Sequence, residues 1–158
     1  VAFEDPISRV QDRFVTGLTK KLDLHNVRSI GEARPISGDQ LSPLKSTFGS
    51  GIMFDFETRY WNLYSSLYRG KATLVLSYAV RGRLIRVNDS QTLWKAICNV
   101  DLEFKKGIDG DSPDFGSDEK ALLNVKLLLA EETSVLPLKR EEAEARCSNQ
   151  LLNKFLGK

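Results

Sequence analysis

The chain has 158 residues, 41% of them hydrophobic and 28% charged, and its 23 Lys and Arg against 21 Asp and Glu leave a net charge of +2. That balance excludes wholesale disorder, and so small an excess gives no long-range field to draw the protein onto nucleic acid or an anionic membrane. No apolar run approaches the ~18 residues a membrane helix needs, and the length suits a single domain over residues 1–158.

Asp5-Pro6 predicts the first helix start, with Asp as N-cap and Pro at the first helical position, where a missing amide costs nothing. Ile7, Val10, Phe14, Leu18 and Leu22 follow at helical spacing, so a helix with one apolar stripe is expected over residues 6–22. A short strand is expected around Val27–Ile30. Residues 31–51 hold four Gly and two Pro and read as loop, with one short helix near Leu41–Phe48.

Strand signals then dominate. Ile52, Phe54, Phe56, Thr58 and Tyr60 alternate with Met53, Asp55, Glu57, Arg59 and Trp61, a period of two with one apolar and one mostly charged face. Ala72, Leu74, Leu76, Tyr78, Val80 and Leu84 repeat the pattern, with Ser77, Arg81 and Arg83 facing away. After the turn cluster Asn88-Asp89-Ser90, a third run places Trp94, Ala96, Cys98, Val100, Leu102 and Phe104 on one side and Lys95, Asn99, Asp101 and Glu103 on the other. Three sequential strands with short links predict an antiparallel meander, wet on one face and covered by helices on the other.

Two helices are expected to supply the cover. Ser117 caps the first, with Asp118 and Glu119 in its first turn and a leucine-rich body running to Leu129. Pro137 starts the second, which ends at a Gly157 C-cap and carries Cys147, Leu151 and Phe155 on one stripe. The fold class expected is therefore α+β: three long strands and a short N-terminal one, with one N-terminal and two C-terminal helices packed on one face.

Cys98 falls on the inward parity of the third strand and Cys147 on the inward stripe of the last helix. A helix laid on that sheet face brings the two within bonding range, which predicts a disulfide; two buried thiols behaving as small hydrophobes are the alternative. Their spacing matches no CxxC motif, and with a single His no Cys/His zinc set is complete, so neither metal nor cofactor is expected.

No enzyme signature emerges. His25 stands at a helix-to-strand turn with no evident nucleophile beside it, no serine sits in GxSxG, and neither nucleotide-binding glycine motif occurs. Asp109, Asp111, Asp114, Asp118 and Glu119 gather five acids in eleven residues, but Pro113 breaks the calcium-loop order, and a solvated turn is expected. Arg69, Lys71, Arg81, Arg83 and Arg86 form a basic run that Asp55 and Glu57 are placed to neutralise across the strands. The most suggestive feature is aromatic. Tyr60, Trp61, Tyr64 and Tyr68 run from the expected strand end into a loop, where an amphipathic rim would suit a partner or ligand; the alternative is core rim under the helices.

The run Phe54-x-Phe56-x-Thr58-x-Tyr60-Trp61-x-Leu63, then Arg81-x-Arg83-Leu84-Ile85, then Leu93-Trp94-x3-Cys98 resembles a group of Gram-negative envelope lipoproteins of unknown function. A cysteine recurs in the C-terminal helix of that group, matching Cys147, after a helix that starts at an Asp-Glu pair, matching Asp118-Glu119. The resemblance implies export to the periplasm or outer membrane, an oxidising setting for the disulfide, and a lipid anchor on an N-terminal cysteine that would lie upstream of Val1. It supplies no catalytic residue. The expectation is a non-enzymatic accessory domain that binds an unknown envelope protein or lipid, with no nucleic acid. The alternative is a module holding a small apolar ligand or lipid between sheet and helices, and a hydrolase-type enzyme comes last.

Overall fold

The computed structural model describes residues 5–27, 44–68, 71–104 and 135–158. Helix α1, Ile7–Leu22, begins one residue later than Asp5-Pro6 predicts, with Pro6 rather than Asp5 at the N-cap; Asp5 Oδ1 still accepts the Ile7 N–H at 3.0 Å, satisfying one of the amides that a first turn leaves open. Val10, Phe14 and Leu18 are its fully buried stripe. Asp23 closes it in the left-handed region at φ 53°. Helix α2, Leu44–Phe48, is one turn long. Val27 is exposed and not in a strand, and the rest of the expected N-terminal strand lies outside the described residues, as does the expected helix from Ser117 to Leu129.

Strands β1, Ile52–Tyr68, β2, Lys71–Arg86, and β3, Gln91–Phe104, form the antiparallel meander in the order β1-β2-β3. The turn between β2 and β3 is built as Asn88-Asp89-Ser90 suggests. Asp89 takes the Gln91 N–H at 3.2 Å and pairs with Arg86 at 3.0 Å, and Ser90 sits at φ 55°. Helix α3, Val135–Phe155, starts two residues before the predicted Pro137, which is tolerated in the first turn because its amide has no intrahelical partner anyway. Gly157 ends it at φ 69°.

α1 and α3 pack together on one face of the sheet, so the fold is α+β as expected. Phe14 stands at the centre, with ring centroids 5.1 Å from both Phe54 and Phe56, 6.1 Å from Phe155 and 6.3 Å from Trp94. Gly82 lies beneath them on β2. A Cβ there would come within 3.2 Å of Trp94, so the missing side chain is the space into which the indole settles. Cys98 and Cys147 are both fully buried and lie at disulfide distance, Cα–Cα 5.3 Å, joining β3 to α3. Beside them Gln150 clasps the Asn99 backbone, accepting its N–H and donating to its C=O, both at 3.3 Å, while Lys154 donates to the Ile97 carbonyl at 2.5 Å.

The second face corrects an expectation. It was predicted wet, yet along β2 Val75, Ser77, Ala79, Arg81, Arg83 and Ile85 are all buried. The predicted charge pairs do form there: Asp55 stands directly opposite Arg83 in register and takes its Nε at 2.9 Å, and Glu57 opposite Arg81 accepts its Nη2. Arg83 is 1% exposed and Asp55 7%. A buried pair of this kind is weak evidence for stability, because desolvation offsets the attraction, but two pairs in successive outward positions fix one register of β1 on β2. Arg81 and Arg83 are therefore not a surface basic patch.

Candidate functional site

β1 does not stop where the aromatic run begins; it continues to Tyr68. What ends the strict alternation is a bulge: Thr58 pairs with Val80 and Tyr60 with Ala79, so Arg59 is the extra residue. One inserted residue turns every later side chain to the opposite face. Trp61, expected on the charged side, therefore packs against the core with Phe54 and Phe56, and Leu63 does the same. Tyr60, expected on the apolar side, points outward, 40% exposed, and Tyr64 follows at 45%. Tyr68 pairs with Lys71 at the strand end, and its side chain is outside the described set. The four aromatic residues thus do not form one rim.

On the outer face the two tyrosines frame a short strip. Tyr60 lies in register with Ala79 and, beyond it, Asn99. With only a methyl group between, its Oη reaches across β2 to donate to Asn99 Oδ1 at 3.2 Å. The next outward row is Asn62, Ser77 and Asp101, where Ser77 Oγ donates to Asp101 Oδ1. Tyr64, Val75 and Glu103 form the row after that. Four residues of extended chain set the two tyrosines about 13 Å apart. The strip combines two presented rings with amide and carboxylate groups.

On the inner face the same bulge brings polar atoms into the core. Trp61 packs edge-on to Tyr78, ring centroids 5.0 Å apart. Thr58 Oγ1 donates to Asp5 Oδ1 at 2.8 Å. Glu144, at 0% exposure, receives Arg140 Nε at 3.2 Å and has Arg9 at 3.7 Å. Sequence reading passed over Glu144, although a signal existed: it is three residues before Cys147 and so shares the inward stripe. Burial pushes the Tyr78 phenol far above the ordinary tyrosine range; the Thr58 side chain, next in size, pulls the other way, and the Asp5 and Glu144 carboxylates add smaller upward pushes.

In the unfolded chain the Tyr78 phenol ionises near its ordinary value of about 10, whereas the folded protein holds its proton to higher pH. The stability this contributes is complete below pH ~10 and is lost as the pH climbs above it. In a tyrosinate absorbance titration, one tyrosine is expected to ionise only together with unfolding. Full ionisation of all four Tyr in a still-folded protein would contradict the burial.

Elsewhere, His25 is exposed beyond the end of α1, 3.5 Å from Asp23. The acidic loop at residues 109–119 lies outside the described residues. Among the described residues no three His, Cys, Asp or Glu side chains gather as metal ligands would, and no helix is long and apolar enough to cross a membrane.

No family model matches the chain, and no curated protein matches it. Among solved structures it is similar to the lipoprotein GNA1162 from Neisseria meningitidis, with a TM-score of 0.31 and 15% identity over 70% of this chain and 68% of that one. That likeness is distant.

Proposed function

We propose that the chain is a non-enzymatic binding domain of the bacterial cell envelope, and that it engages an envelope protein or lipid through the outward strip bearing Tyr60 and Tyr64. One observation carries this reading: two tyrosines stay 40% and 45% exposed on a sheet face whose central strand is buried. Tyr60 is also held in place by its bond to Asn99. A large ring whose rotamer is already fixed loses little entropy on contact, which is why such residues anchor interfaces.

An envelope location is supported by Cys98 and Cys147 at disulfide distance, since such bridges persist in oxidising compartments. A lipid tether on a cysteine upstream of Val1 belongs to the same reading. The non-enzymatic part rests on the buried charges: Asp55, Arg83 and Glu144 are engaged in ion pairs, an arrangement for packing rather than proton transfer. An apolar ligand held between sheet and helices draws no support from a space that Phe14, Phe54, Phe56, Trp94 and Phe155 fill together.

Tyr64→Ala tests the proposal. The variant is expected to keep its Tm within about 2 °C, as surface substitutions do, while losing most retention of solubilised envelope components by the immobilised domain. Equal retention by wild type and variant would defeat the assignment of this strip. Trp61→Ala, with its ring turned inward, is the contrast: it should lower Tm first.

A further inference from the structure

Among the described residues, three buried polar atoms on the inner face have no hydrogen-bond partner: Trp61 Nε1, Tyr78 Oη and Glu144 Oε2. They are not scattered. Trp61, Tyr78 and Val100 stand side by side in register across β1, β2 and β3. α3 lies along β3, where Cys147 meets Cys98, Gln150 reaches Asn99 and Lys154 reaches Ile97. Glu144, almost a turn before Cys147 on α3, is near enough to this row for its carboxylate to act on the Tyr78 phenol. The start of α1 lies alongside, with Asp5 bonded to Thr58 on the neighbouring row and Arg9 beside Glu144.

Buried groups without partners are rare in folded proteins, because each forfeits its hydrogen bonds to bulk water and receives nothing in return. Three on or near one row need a common explanation. Their chemistry is complementary to a small hydroxylic molecule: the indole N–H can only donate, the Glu144 carboxylate oxygen accepts, and the phenol does either. Tyr78 and Glu144 are both at 0% exposure, so the molecule must be of the smallest kind.

We propose that this row is an internal water site, in which the bound water accepts from Trp61 Nε1–H or Tyr78 Oη–H and donates to Glu144 Oε2. Internal waters of this kind make about three hydrogen bonds and belong to the structure as side chains do. The water links β1, β2 and α3 at the point where the Arg59 bulge delivers Trp61 into the core.

Two measurements test it, both on the whole chain. In the wild-type protein, the Trp61 indole N–H, assigned with Trp94→Phe, is expected to show direct cross-relaxation to a long-lived water; no such signal would overturn the site. Tyr78→Phe is then expected to lower Tm by about 2–4 °C, because a held water loses a partner. A dry orphaned hydroxyl gives the opposite sign, since deleting it relieves a penalty, so an unchanged or raised Tm would also overturn the proposal. Should Tyr78→Phe fail to fold, the wild-type signal alone decides.

Discussion

Cys98→Ala/Cys147→Ala is expected to lose about 4 kcal/mol of stability and roughly 8–16 °C in Tm. The residues lie 49 apart in sequence, and freeing a loop of that length returns its closure entropy to the unfolded chain. The loss should be visible in urea denaturation and should be reproduced by a reductant acting on the wild-type protein. Both sulfurs are fully buried, so reduction of the folded protein should be slow and should accelerate as denaturant opens it. Two titratable thiols in native protein taken from its own cell envelope, with an unchanged melting curve after reduction, would remove both the bridge and the main support for an exported domain.

Phe14→Ala is the second large effect, with an expected cost of about 3–5 kcal/mol and a Tm fall of roughly 6–20 °C. Phe14 is fully buried, and its ring meets aromatic partners from β1, β3 and α3 at once. Truncation removes its own burial and also the edge-on contacts that orient Phe54, Phe56 and Phe155. None of those neighbours can fill the space alone: Gly82 already gives its room to Trp94, and Gly17 brings α1 so close to α3 that a Cβ would stand 2.7 Å from Leu152. Phe14→Leu, which keeps most of the volume, should cost markedly less. A loss below ~1 kcal/mol for the alanine variant would mean that the helices pack on the sheet through other residues.

Much of the fold was legible because its signals are local. The 3.6-residue spacing of Val10, Phe14 and Leu18 gives α1, the alternation through Cys98, Val100 and Leu102 gives β3, and Gly157 marks the end of α3. The pairing of Asp55 and Glu57 with Arg83 and Arg81 was also visible as opposite charges in matching strand positions. The candidate site was less legible, and a single residue explains why. Nothing about Arg59 in isolation marks a bulge; the insertion is specified jointly by Trp61 finding space against Tyr78 and by Tyr60 finding Asn99 across Ala79. Both are long-range contacts that no window of neighbouring residues contains. Once the parity changes there, Tyr60 and Trp61 exchange faces. Burial of the charged side was hidden for a related reason: a strand's own pattern shows which residues share a face, not what covers that face.

The grip of Gln150 and Lys154 on β3 bears on how the molecule behaves among its own kind. The outermost strand of a sheet ends in a row of open amides and carbonyls, ready to template another chain. The Gln150 carboxamide presents one donor and one acceptor to Asn99, as the next strand would, and the Lys154 ammonium takes the neighbouring carbonyl. The last helix is thus a stand-in for a fourth strand as well as a lid on the core. A domain held this way at Ile97 and Asn99 is expected to resist edge-to-edge pairing along that part of β3.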